Sequence, residues 1–115
     1  RLERMFKDKV TWKDWGKKPF EGLIMYELII RDFGWDVIKK TFAEYRDLKD
    51  SERPKSDLDK RSQWLTRLSK HVGRDLGPYF DAFGVETSQA AKDSIAALPK
   101  WMPKEVESLL KQYPR

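Results

Sequence analysis

The side chains able to do chemistry are few and scattered. The chain of 115 residues has one histidine, His71, and no cysteine, beside 19 Asp and Glu. Hydrolytic zinc sites ordinarily use three protein ligands around a metal-bound water, with a base placed against it. One histidine excludes an HExxH site within the chain, and a site built almost wholly of carboxylates is a poor match for catalytic zinc. His71 has no cysteine to activate and no nearby serine in a nucleophile motif. It reads as a helix-surface residue close to a helix C-terminus, where the dipole favours its charged form. No residue is assigned a catalytic or metal-binding role.

Three further features compete with plainer readings. Asp32-Phe33-Gly34 spells the metal-binding triplet of protein kinases, but the Gly-rich loop, strand lysine and catalytic loop are all missing. A helix that ends on glycine explains it. Glu27 interrupts the most apolar stretch of the chain. It is either an acid at a cleft, a partner for Arg31 four residues on, or a residue facing solvent. Trp12 and Trp15 lie in the least regular segment and are expected to be the most exposed of the five tryptophans. Such rings can stack on sugars, although isolated exposed apolar residues need no functional account. The candidates for substrate contact are therefore Trp12, Trp15 and Glu27.

The stretch that must position everything else is residues 19–35, PFEGLIMYELIIRDFGW. Apolar residues occupy nearly the whole circumference of a helix over 20–33, which predicts burial on several sides. The helix is too short to cross a bilayer. Gly34 can take positive φ and close it. Residues 1–18 form a polar lead-in with spaced apolar anchors, and Gly16 and Pro19 mark a break. Trp35, Ile38, Phe42, Tyr45 and Leu48 then repeat at three and four, a one-sided helix with Asp36 as N-cap. Residues 49–56 read as a surface loop. Ser56 opens a third helix with Asp59 in capping-box register, its inner side marked by Leu58, Leu65, Leu68 and Val72, joined by Trp64, and Gly73 its end. Asp75 caps a short helix with Pro78 in its first turn and Gly84 behind it. Thr87 or Ser88 starts a fifth helix running through Leu98, and Pro103 opens a last one over 103–113.

No stretch alternates with period two, so the expected fold is all-α, one bundle-like domain over 1–115 with five to six helices. Leu23, Tyr26, Ile30, Phe42, Tyr45, Leu68, Phe80 and Phe83 are its expected core. Six Phe, five Trp and four Tyr supply the bulk of that core. The net charge is +5, but the signs alternate and no basic run exceeds two residues. That favours a mixed solvated surface over a nucleic-acid stripe. No signal peptide is visible, and the chain is expected to be a fragment of a longer protein.

The order of landmarks from Tyr26 onward carries a resemblance. Tyr26-x-Leu28 leads into Phe33-Gly34-Trp35, then Phe42 and Tyr45, Trp64, Ser69 and Gly73. Asp75-Leu76-Gly77-Pro78-Tyr79-Phe80, Phe83-Gly84 with Ser88, and Leu98-Pro99-Lys100-Trp101 follow. This resembles the C-terminal helical region of the enhancin and mucin-active zinc metallopeptidases, gluzincins of metallopeptidase family sixty, over about residues 20–102. Phe83 stands where much of that family has Trp. The resemblance implies a non-catalytic helical subdomain that supports the catalytic domain of its own parent chain or walls its substrate cleft. It implies zinc only in that missing catalytic part, glycoprotein substrates such as mucins, and an extracellular or cell-surface location. The alternative is a stand-alone helical interaction module whose mildly basic surface meets acidic partners or nucleic acid; the charge pattern argues against specific nucleic-acid binding, and there is no membrane span.

Overall fold

The computed structural model describes residues 2–15, 17 and 19–115, and among them the chain is all-α. Seven α-helices follow in order: α1 (Leu2–Lys7), α2 (Pro19–Phe33), α3 (Asp36–Arg46), α4 (Asp57–Val72), α5 (Gly77–Ala82), α6 (Gln89–Ser94) and α7 (Lys104–Gln112). Two 3-10 turns, Trp12–Asp14 and Asp50–Glu52, lie in the connections. The break expected at Gly16 lies outside the described residues.

The apolar α2 is the spine. Its Met25 and Ile29 are fully buried, and it packs against α1 and α3. Tyr79 of α5 donates its hydroxyl to the Met25 carbonyl at 2.6 Å. Around this axis the core gathers Met5 and Phe6 of α1, Leu65 and Leu68 of α4, Tyr79, Phe80 and Phe83 about α5, and Val106 of α7. Each such side chain contributes about 1.5–3 kcal/mol by leaving water. The 3-10 turn lies so close to α2 that a Cβ on Gly22 would meet the Trp15 ring at 3.1 Å.

Most landmarks of the resemblance converge here and act as scaffold. Gly34 ends α2 at φ +85°, where any other residue would be strained. Phe33 packs edge-on against Trp101 at 5.1 Å, and the Trp101 indole donates to Asp32 at 3.1 Å. The Ser69 hydroxyl accepts from the Leu76 amide, and Asp75 accepts from the Gly77 amide at 2.8 Å and from Lys100 at 3.0 Å. The Asp75 amide in turn donates to the Pro99 carbonyl. The Phe-Gly, Asp-Leu-Gly and Leu-Pro-x-Trp segments thus brace one another, through the exposed Asp32–Trp101 bond and through buried Ser69 and Asp75, whose polar groups have partners.

Several boundaries and faces differ from expectation. Asp36 begins α3 and Trp35 precedes it as the capping residue, without a side-chain cap. Ser56 does cap α4 by accepting from the Asp59 amide, but the Asp59 carboxylate accepts from Lys55, one residue before the cap. The helix after Ser88 stops at Ser94, and Pro103 stands before α7 rather than inside it. Leu58 is exposed, at the first turn of α4 beyond the reach of the core.

The larger correction concerns the core. Leu23 is 52% exposed and Phe42 60%, as is Trp35 at 58%. Tyr26, Ile30 and Tyr45 are only half-buried. The face of α3 that turns inward is Ile38 and Thr41. Thr41 can be buried because its hydroxyl donates to the Val37 carbonyl at 2.7 Å. On the same side Glu44 binds Arg67 of α4 at 2.9 Å. Polar pairing across α3 and α4 sets the rotation of α3 and leaves its aromatic stripe at the rim.

Candidate functional site

That rotation opens a groove of about 350 Å³, lined by Leu23, Tyr26 and Ile30 of α2, Trp35, Ile38 and Phe42 about α3, and Trp64 of α4. The helices meet at the Gly34 corner, so the two walls diverge from there. Four large apolar side chains stand out as exposed among the described residues, and three of them, Leu23, Trp35 and Phe42, line this groove. Trp64 forms the floor. Its ring lies 5.0 Å from Phe42, 6.1 Å from Tyr45 and 6.3 Å from Tyr26. Burial pushes the Tyr26 hydroxyl up to about 12, opposed by the neighbouring Trp64 indole, and raises that of Tyr45 as well. Tyr45 is also touched by the Arg67 guanidinium, which lies over its ring at 5.2 Å and counters the burial. The groove is therefore uncharged at its floor at neutral pH.

Its rims carry charge. Lys39 and Arg46 are exposed, three residues before and four after Phe42, and neither enters an ion pair among the described residues. Glu27 is exposed on α2, four residues beyond Leu23, and is equally without an ionic partner there. The expected pairing with Arg31 does not form. Arg31 instead forks onto Glu105 at 2.8 and 3.1 Å and reaches Asp32 at 3.0 Å, joining α2 to α7. Of the three readings for Glu27, the one facing solvent is what the fold adopts.

A second hollow, about 250 Å³, adjoins the first through Tyr26 and Trp64 and is lined also by Trp12, Trp15 and Arg61. Both tryptophans are half-buried rather than exposed. The Arg61 guanidinium covers the Trp12 ring at 3.8 Å while its Nε donates to the Glu86 carbonyl at 2.7 Å. One face of Trp12 is thereby occupied by a cation. Trp15 and Trp64 both bury their indole N–H without an acceptor among the described residues. Trp12 and Trp15 thus stand together in one hollow, and Glu27 lies apart from them on the outer side of α2.

His71 is exposed in the last turn of α4, its Nε2 3.2 Å from Glu44. No group of three or more His, Cys, Asp or Glu among the described residues is arranged to hold a metal ion. The residues present therefore do not fit zinc, and no step is routed through one. Among the described residues no helix is long and apolar enough to cross a membrane.

The family described as Peptidase M60, enhancin and enhancin-like matches residues 2–84. The chain belongs to the enhancin-like peptidase M60 family. Among curated relatives, "TRPM8 channel-associated factor 3" of Mus musculus is 36% identical over 92 residues, 80% of this chain. "TRPM8 channel-associated factor 2" of Homo sapiens is 31% identical over 98 residues, 85% of the chain. The "TRPM8 channel-associated factor homolog" of Danio rerio is 30% identical over 95 residues, 83% of the chain. The matched segment makes up only 9–10% of these relatives' own length. No solved structure matches the chain significantly.

The exposed groove was hidden by apolar spacing, which marks Trp35 and Phe42 as core. One signal did point to it. Lys39 and Arg46 bracket Phe42 at −3 and +4, so they share its face of the helix. An aromatic flanked by two cations on one face stands near solvent.

Proposed function

We propose that this M60-family chain is a non-catalytic helical subdomain of a zinc metallopeptidase that acts on mucin-type glycoproteins outside the cell or at its surface. In this reading it supports the catalytic part of its own parent chain or walls the substrate cleft, and the zinc belongs to that other part. One observation carries the reading. Most landmark residues of the resemblance, Gly34, Ser69, Asp75 and Trp101 among them, brace the fold, while Trp35 and Phe42, landmarks themselves, join Leu23 in an uncovered apolar groove. A surface of that kind suits packing against another folded part better than bond cleavage. The single His71, paired with Glu44, supports it too.

A second reading is favoured by the printed names of the relatives, which describe channel-associated factors. Under it the chain belongs to an interaction module for a membrane-channel protein or another acidic partner, with no hydrolysis at all. Specific nucleic-acid binding fits neither, because the charge is mixed.

The test is metal content and activity. The 115-residue chain is dialysed and assayed for zinc, then both it and the longer parent are incubated with a mucin-type glycoprotein. Cleavage by the parent alone, unaffected by His71→Ala, is expected. Zinc retained near one equivalent by the chain and abolished by His71→Ala would overturn the reading. An inactive parent that lacks an HExxH motif would favour the second.

A further inference from the structure

We propose that the groove between α2 and α3 receives an amphipathic helix with carboxylates along the edge facing α3, supplied by the same protein outside these 115 residues. The inference rests on the reading that the chain is one part of a larger M60-type protein, and adds the chemistry of what covers it.

Shape comes first. Two helices joined at the Gly34 corner leave a furrow between their ridges, and a third helix seats in such a furrow at an axial distance of about 8–10 Å. Leu23, Phe42 and Trp35 are spread along the walls and can each meet one apolar residue of a stripe spaced i, i+3 or i+4, and i+7. The Trp64 floor supplies a broad aromatic surface that is already rigidly held by Tyr26, Phe42 and Tyr45.

Charge then selects the occupant. The α3 rim offers Lys39 and Arg46 with no ionic partner among the described residues, and the α2 rim offers Glu27 alone. Asp36 stands exposed at the start of α3, near the closed end. A helix with carboxylates toward α3 pairs both cations as it buries the aromatics.

Size decides the source. Stable association of separate proteins buries about 1,600 Å² in total. Three exposed anchors in one furrow fall well short of that. A helix joined covalently faces the groove at an effective concentration in the millimolar range, so a small contact suffices. The chain spans about a tenth of the length of its relatives, which leaves ample chain to supply one.

The experiment uses two synthetic 18-residue helical peptides with the same leucine stripe, one edged with Glu and the other with Lys. Each is titrated into the 115-residue chain, with tryptophan fluorescence as readout and circular dichroism confirming that every variant is folded. The Glu-edged peptide should bind with a Kd on the order of 100 μM, about tenfold tighter than the Lys-edged one. Lys39→Glu combined with Arg46→Glu should invert that preference, and Phe42→Ser should weaken both. Equal binding of the two peptides, or none by folded chain, would overturn the chemistry.

The source is read separately. A thiol introduced by Phe42→Cys is labelled with a maleimide in the 115-residue chain and in the longer protein, and peptide mapping isolates that position. Labelling should be at least tenfold slower in the longer protein. Equal rates there would refute an occupant from the same protein. Concentration-dependent dimerisation of the chain, abolished by Phe42→Ser, would assign the groove to a second copy. Neither readout depends on cleavage, so failure here is distinct from failure of the peptidase reading.

Discussion

The Tyr79 hydroxyl donates to the Met25 carbonyl at 2.6 Å, a bond between α5 and the middle of α2 that no solvent reaches. The two residues are 54 positions apart. Tyr79 also packs on Trp101 at 4.8 Å and Phe83 at 4.9 Å. The central helix is therefore held at its waist by a polar contact inside an aromatic cluster. Tyr79→Phe keeps the ring and removes the donor, so it should cost about 1–2 kcal/mol in urea unfolding. A loss below measurement error would mean that the hydroxyl is not part of what holds α2.

Alkali should unfold this protein ahead of comparable helical domains. Burial raises the hydroxyls of Tyr79 and Tyr26, the latter to about 12. A group whose folded pKa lies above its unfolded one stabilises fully below the unfolded value, near 10 for tyrosine. That stability is lost as pH climbs through the folded value. Urea midpoints should hold steady to about pH 10 and fall from there to 12, with ionisation of Tyr26 and Tyr79 appearing only as the chain unfolds. Tyr79→Phe should flatten that fall. Early, reversible ionisation of all tyrosines in the folded state would contradict it.

Truncation should separate core from groove. Phe80 is 1% exposed and Phe42 is 60% exposed. Phe80→Ala should cost about 3–5 kcal/mol. Phe42→Ser loses only its stacking on Trp64 and should cost about 1 kcal/mol or less. Similar losses at both positions would show that Phe42 is covered in solution.

Asp75 links two segments by accepting from the Gly77 amide and from Lys100. Asp75→Ala strands a buried amide at the start of α5, and a loss of about 1–2 kcal/mol is expected. Lys100→Ala should matter far less, because its side chain is 67% exposed and the ion pair is largely solvated. Equal effects would place the stabilisation in the ion pair rather than in the cap.

Much of this architecture was legible from local signals. The apolar circumference of residues 20–33, the glycines at 34, 73 and 84, and the serines at 56 and 88 act within a turn of their own position. The stops and caps act as read, with α2 ending on Gly34 and α4 opening from the Ser56 cap, whereas the apolar circumference gives the helix but not the burial of Leu23. Tertiary structure decided the rotation of the helices. The repeat Trp35, Ile38, Phe42 marks one stripe of α3 as apolar, yet periodicity cannot say which edge of a stripe turns inward. Glu44 reaching Arg67, and Thr41 returning its hydroxyl to Val37, turned that stripe by part of a helical turn. Ile38 went into the core and Phe42 to the rim. The Glu44–Arg67 pair joins α3 to a helix residue 23 positions on, and only the folded chain brings the two together.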